Sequence, residues 1–576
     1  MRAESARTKL GHEWVVATFG SIMLAIAMIW LLPWYSRWIV SAGVSGGDLA
    51  DPVHTIVGDS GDSFWAAWLV AWNGHAVMHD LDGLWNTNGF YPDTYGLAFT
   101  DSLLGYAPAG MIGSGMDAAV LRYNVLFVLA FALAALGGYA LVRQLGADKI
   151  GAAVAGVAFA YAPWRYGQIG HLNILSIGGI ALALAMLARG HGWSLTHGYR
   201  PERTRPGWVL AGWLVAAWQI SLGFGIGLPF AYVLAAGCVA ALVGWLVTGR
   251  PALGRRLVLA DLGGGLAFAA VIGYFAWIYQ HVRELHPENL RSWDYVGVFS
   301  PTWHGLVTGP PTSLLWGDWH EQARNAMGFT PDEKVLLGGF VLYSLAAVGL
   351  FVSVWTVRQR VLLGAGIVIG VLLALGTHGP LYRLVFLYLP GFDGMRTPGR
   401  LILWPTLLLA ILAAGLITRL RRRAVVMARP QYARTVSRVA AVPLLILVLL
   451  EGMPKPDHAE VPAVPPALAE ASAPLMVLPS DEISDLTVAL WSTDGFPAMV
   501  NGGASITTPD HAAIRDLMRT FPDQASRDRL RAIGVRSVVV IRKRVEGTPY
   551  EPVLNAASVP GVTRRDIGPD ILYLLN

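Results

Sequence analysis

Apolar stretches of about 20 residues recur through most of this chain, separated by short polar loops. A stretch of that length crosses the hydrocarbon core of a bilayer as a helix, and in lipid only helices and closed barrels satisfy their backbone hydrogen bonds. The chain is therefore read as an α-helical polytopic membrane protein. Charge agrees: 14% of the residues are charged, against roughly 25% in an ordinary soluble domain. Its 22 tryptophans and 19 tyrosines suit the headgroup layer, where amphipathic rings settle. The net charge of +5 gathers in short loops between spans, so it reports topology and argues against a nucleic-acid partner.

Arginine placement gives orientation. Arg2, Arg7 and Lys9 hold the N-terminus in the cytoplasm, and a first span covers about 14–36, retained as an anchor. Further spans fall at about 121–142, 150–163, 173–188, 208–222, 227–247, 257–279, 335–356, 361–377, 401–418 and 439–453. About eleven crossings then put every strongly basic loop on one side, including Arg419, Arg421, Arg422 and Arg423. Long outer loops lie at about 37–118 and 280–334. The single Cys238 sits in an apolar span, excludes an intrachain disulfide and reads as packing. The transmembrane domain is thus 1–453, in the inner (plasma) membrane. A proline- and alanine-rich linker follows at 454–474. Short β-type runs and two amphipathic helical stretches make 475–576 a small α/β domain, placed outside by the odd span count.

The first outer loop holds nine aspartates. Asp59 and Asp62 differ from the others because they abut the aromatic stretch WAAWLVAW, expected at the membrane interface. Tryptophans that exclude water would raise a carboxyl pKa toward a general-base range. The competing reading is structural: acids at a helix start cap it and offset its dipole. Asp101, in YPDTYGLAFTDSLLGYAP, is either a second carboxylate facing Asp59 or another cap. Arg396 and Arg400 stand in GFDGMRTPGR at the outer end of a span, where positive charge is disfavoured. Guanidinium forks match phosphate oxygens, so these two are candidates for a lipid-linked phosphate. Snorkelling to phospholipid or pairing with Asp393 are the plain alternatives. His171, beside Arg165 in WRYGQIGHLN, is a further candidate for an anionic headgroup. No motif assigns a metal, a nucleotide or another cofactor, and a divalent cation has no clear ligand set here.

With these residues in view, the chain resembles the C-type (GT-C) glycosyltransferase superfamily, and more closely a group of bacterial multi-span proteins related to it. The resemblance is carried by GDSGDSFWAAWLVAW, NGFYPDTYGLAFTDSLLG, RYNVLFVLAF, AFAYAPWRYGQIGHLNILS and FDGMRTPGRL. In the C-terminal part it is carried by LWSTDGFPAMVNGGASITTPD and LRAIGVRSVVV. It implies a transferase that moves a sugar from a polyprenyl-phosphate donor to an extracytoplasmic acceptor: a cell-envelope glycan, a lipid or a protein. It also implies that an aspartate of the first outer loop is the general base, with Asp59 the best fit and Asp62 next. Ser60 and Gly61 separate these acids, a departure from the D-X-D and E-X-D forms. Arg396 and Arg400, with Arg165, would hold the carrier phosphate. Two other functions are weighed against it. A transporter or lipid flippase should carry ionisable groups at the bilayer midplane, and only Asp261 comes near that. A non-catalytic envelope-assembly protein would act through the outer domain; in a transferase that domain would bind or orient the acceptor glycan, with Trp491 and Asn501 its most suggestive residues, or merely pack as a lid on the outer loops.

Overall fold

The computed structural model describes residues 2–31, 49–249, 253–427, 442–455, 458–556 and 559–575. Each of the apolar stretches named above contains a helix, although the one in 335–356 covers only Phe340–Phe351 and 173–188 is broken at 176–177. Among the described residues seven helices are long and apolar enough to cross a membrane: Gly11–Leu31, Gly115–Leu145, Leu172–Gly190, Phe224–Val247, Arg255–Leu285, Val357–Ala374 and Pro398–Ala424. The chain is a multi-pass membrane protein. Shorter apolar helices complete the set, among them Lys149–Ala160, Phe340–Phe351 and Val442–Glu451. A 12-residue helix rises about 18 Å, short of the hydrocarbon thickness, so its ends need partners that water would supply elsewhere.

Those partners are polar side chains. Glu451 accepts from the backbone N–H groups of Phe340 (2.5 Å) and Val341 (2.8 Å), the orphan donors at the start of Phe340–Phe351. Asp148 caps Lys149–Ala160 through the N–H of Gly151 and is held in turn by Arg421. Glu13 takes Arg143 and Lys149, both at 2.8 Å, and the Tyr139 hydroxyl. Asp261, the one acid suggestive of transport, accepts from Trp213 Nε1 (3.1 Å) and lies 2.9 Å from His191 Nε2. Each of these acids has a structural account. Cys238, expected to pack, is instead exposed on Phe224–Val247, a helix whose apolar surface is mostly turned outward.

The chain forms two compact units: 1–49, 126–276 and 291–456 in the first, and 50–125, 277–290 and 457–576 in the second. The second unit joins most of the 37–118 loop to the C-terminal domain. Its four-stranded sheet runs Leu475–Leu478, Ser537–Val540, Asp570–Leu575, Val562–Ile567 in space; the first pair is parallel and the others antiparallel. Met476, Leu478, Val538, Val540, Leu530, Phe521 and Tyr573 build its core. The proline- and alanine-rich stretch is partly ordered, since His458–Glu460 pairs with Thr55–Val57. WAAWLVAW, expected at a membrane interface, is covered by protein. Helix Asp62–His79 is buried on nearly every side and packs on helix Ser484–Trp491. Its tryptophans fill this unit's interior: Trp65 meets Phe90, Trp68 Nε1 donates to Asn88 and Trp72 Nε1 to the Leu84 carbonyl. Aromatic surface is satisfied by protein here as well as by lipid.

Candidate functional site

The acidic residues belong to the second unit and the basic ones to the first. In the second, strand Thr55–Val57 turns at Gly58, whose φ of 102° favours glycine, into Asp59-Ser60-Gly61 and the start of helix Asp62–His79. Asp59 is exposed, and its Oδ1 accepts from the N–H groups of Gly61 (3.0 Å) and Ser63 (3.4 Å). The capping alternative therefore describes what this carboxylate does locally, and the desolvation expected from the tryptophans is absent. Asp62 opens the helix and is half-buried. The turn is anchored from behind by the start of helix Gly115–Leu145. Asn124 accepts from Val57 N (2.9 Å) and donates to Thr55 O (2.7 Å) and Pro52 O (2.9 Å). Tyr123 donates to Ser63 Oγ (3.0 Å), which donates to Val57 O (3.0 Å). Tyr123 and Asn124 of the RYN run are thus scaffold for the acidic turn. Asp101 sits half-buried after Thr100, whose carbonyl accepts from Tyr279.

In the first unit, Glu333 collects the basic candidates. It is nearly buried, with 9% of its side chain exposed. Its Oε1 lies 3.1 Å from Arg396 Nη2, 3.5 Å from Arg400 Nη2 and 3.9 Å from His171 Nε2. Its Oε2 accepts from Thr397 Oγ1 at 2.5 Å. Burial alone would raise this carboxyl. Arg400, His171, Arg396 and the Thr397 hydroxyl outweigh it and bring the pKa to about 2. Arg396 also lies over the Phe299 ring, 4.7 Å from its centroid. Arg291, which donates to the Gly394 carbonyl, joins the group; burial lowers its pKa, and neighbouring Arg396 and Arg400 add to that. Two guanidinium groups and His171 thus face one carboxylate, with Arg291 close to the two arginines. Arg396 and Arg400 both turn toward Glu333.

Arg165 does not join them. It is fully buried, donates to the Ala160 carbonyl and, at 2.5 Å, to the Leu175 carbonyl, and lies 4.1 Å from the Phe131 centroid. Ala160 ends helix Lys149–Ala160 and Leu175 ends the turn Leu172–Leu175. A cation at two helix C-termini completes orphan carbonyls that lipid cannot serve. Trp491 and Asn501 are also interior: Trp491 donates to the Pro462 carbonyl, and Asn501 bridges Val477 N, Val477 O and Asp485. Among the described residues no group of three or more His, Cys, Asp or Glu could hold a metal ion.

Glu333, Thr397 and Arg291 were not singled out in the sequence, because TPDEK reads as a charged loop and RSW as a lone cation. Only the pairing across more than 60 residues gives them meaning.

No protein-family model matches the chain, and no curated protein matches it. Among solved structures, arabinofuranosyltransferase AftD from Mycobacteria, in a mutant form, matches over 97% of this chain at a TM-score of 0.53 and 14% identity. The fold is that of the C-type glycosyltransferases. The chain spans about two fifths of that transferase, 41% of its length. Two more distant likenesses are the oligosaccharyltransferase AglB from Archaeoglobus fulgidus and ArnT from Cupriavidus metallidurans. AglB, solved with an inhibitory peptide and a dolichol-phosphate, gives a TM-score of 0.44 and 14% identity over 92% of this chain and 69% of its own. ArnT, solved bound to undecaprenyl phosphate, gives 0.45 and 13% over 96% and 98%.

Proposed function

We propose that this protein is a membrane glycosyltransferase that moves a sugar from a polyprenyl-phosphate carrier to an acceptor hydroxyl on the extracytoplasmic side. The observation that carries the reading is the basic cluster at Glu333, where two guanidinium groups and a histidine face one acid with Arg291 beside them, in a chain with a transferase fold. Guanidinium groups gathered around one anionic oxygen suit a phosphate, whose oxygens their forks match. In the reaction, the acceptor oxygen bonds to the anomeric carbon as its proton passes to Asp59. The bond from that carbon to the phosphate oxygen breaks, and its electron pair leaves on the carrier phosphate. Arg396 and Arg400 stabilise the charge that develops there. Such a single displacement inverts the anomeric centre. Asp62 and Asp101 are held as supporting acids of the same loop, while Arg165 is assigned to the fold. On this reading the N-terminus is cytoplasmic and the C-terminal domain outside, where a membrane-carried donor is needed because nucleotide sugars are cytoplasmic. The acceptor is an envelope glycan, a lipid or a protein.

Binding tests this reading. Purified full-length protein in detergent should bind a short-chain polyprenyl monophosphate, with affinity that falls as salt rises. The R396A R400A double variant should bind at least about tenfold more weakly, the loss of two charge-assisted contacts. No binding by the native protein overturns the proposal.

A further inference from the structure

The Glu333 contacts converge in an unusual way. One oxygen, Oε1, faces Arg396, Arg400 and His171 together, while the other is pinned by the Thr397 hydroxyl one residue from Arg396. A single anionic oxygen at the focus of two guanidinium groups is also what a phosphate oxygen would offer them. Without any anion, Arg291, Arg396 and Arg400 would repel one another, and two of them share the neighbourhood of a nearly buried site. A carboxylate there keeps the cluster together when no phosphate is present. Around this carboxylate stand Arg396, Arg400 and His171, so one acid serves several basic groups.

We propose that Glu333 is a positioning residue that acts as an internal stand-in for the donor phosphate: it orders Arg396 and Arg400 in the empty site and competes with phosphate for them. The inference rests on the reading under Proposed function, since it takes the cluster as the phosphate site. Competition has a kinetic meaning. The carrier phosphate produced by transfer must leave, and a carboxylate that takes back the guanidinium groups speeds its departure.

Glu333→Gln keeps shape and the Thr397 contact while removing the charge. Titration with a short-chain polyprenyl monophosphate should show E333Q binding about tenfold more tightly than the native protein, as expected for removal of one competing unit charge a few ångströms away. In steady-state transfer E333Q should lower KM and kcat together and become more sensitive to inhibition by the same monophosphate. A merely structural Glu333 would instead raise KM or leave the affinity unchanged, and either result overturns the stand-in role. Should E333Q not fold, E333D retracts the carboxylate by one methylene and should still bind the monophosphate more tightly; equal or weaker binding overturns the proposal. If the native protein binds no monophosphate, the reading of the cluster as a phosphate site fails. If it binds and the variants bind no better, only Glu333's role fails.

Discussion

Arg165→Met separates structure from ligand binding at a residue first read as a phosphate contact. Its guanidinium is fully buried and donates to the carbonyls of Ala160 and Leu175, each at a helix end. A hydrogen bond from a charged group contributes about 1.5–3 kcal/mol, and a buried carbonyl left without a donor costs about 1–3 kcal/mol. Two such carbonyls, with the lost cation–π contact to Phe131, set the expected destabilisation at about 3–6 kcal/mol. Methionine preserves length and apolar packing, so a cavity adds little. The assay is reversible unfolding of the purified full-length protein in mixed detergent micelles, followed in parallel with phosphate binding. Arg165→Met should unfold at markedly lower denaturing detergent, Arg165→Lys should recover part of the loss, and the folded fraction of each should bind polyprenyl monophosphate normally. Stability within about 1 kcal/mol of native together with lost monophosphate binding would refute the structural assignment.

Other outcomes follow from the same geometry. Asp485 is fully buried, 2.8 Å from Arg515 and bonded to Asn501 and Gly502; Asp485→Ala should cost about 3–5 kcal/mol by stranding the guanidinium, read as faster hydrogen exchange across the C-terminal sheet. Asn124→Ala frees the strand Thr55–Val57 from its anchor and should lower transfer at least about tenfold with little change in monophosphate affinity, measured by kinetics and titration together. The pH dependence has a defined sign. Glu333 has its pKa lowered from 4.5 to about 2, so its stabilising pairings are complete above about pH 4.5 and are lost as pH falls toward 2. That difference corresponds to about 3 kcal/mol, and the melting temperature of the native protein should fall below pH 4.5 more steeply than that of E333Q.

Much of the membrane architecture was legible in the sequence because hydrophobic length is a local signal: every apolar stretch read there contains a helix, though 335–356 only over Phe340–Phe351. Which helices fall short of a full crossing was less legible, since that depends on caps such as Glu451 and Arg165 supplied from elsewhere in the chain. The acidic turn was visible as GDSGD, but its neighbours misled. Tryptophan looks the same in sequence whether it meets lipid or protein, and here helix Asp62–His79 is packed by Ser484–Trp491, more than 400 residues away. The arginines of GMRTPGR stood out through their unusual position, whereas the acid that organises them lies more than 60 residues earlier and had no local mark. Trp491 and Asn501 look like sugar contacts by type and are core by burial, because type alone does not report depth.

The most direct test is transfer itself. Full-length protein, reconstituted in liposomes with a panel of polyprenyl-phosphate sugars and envelope glycan, lipid and peptide acceptors, should release carrier phosphate with stoichiometric sugar transfer, and Asp59→Asn should insert normally yet transfer nothing. Full transfer by Asp59→Asn, or no transfer by the native protein across the panel, would contradict the account.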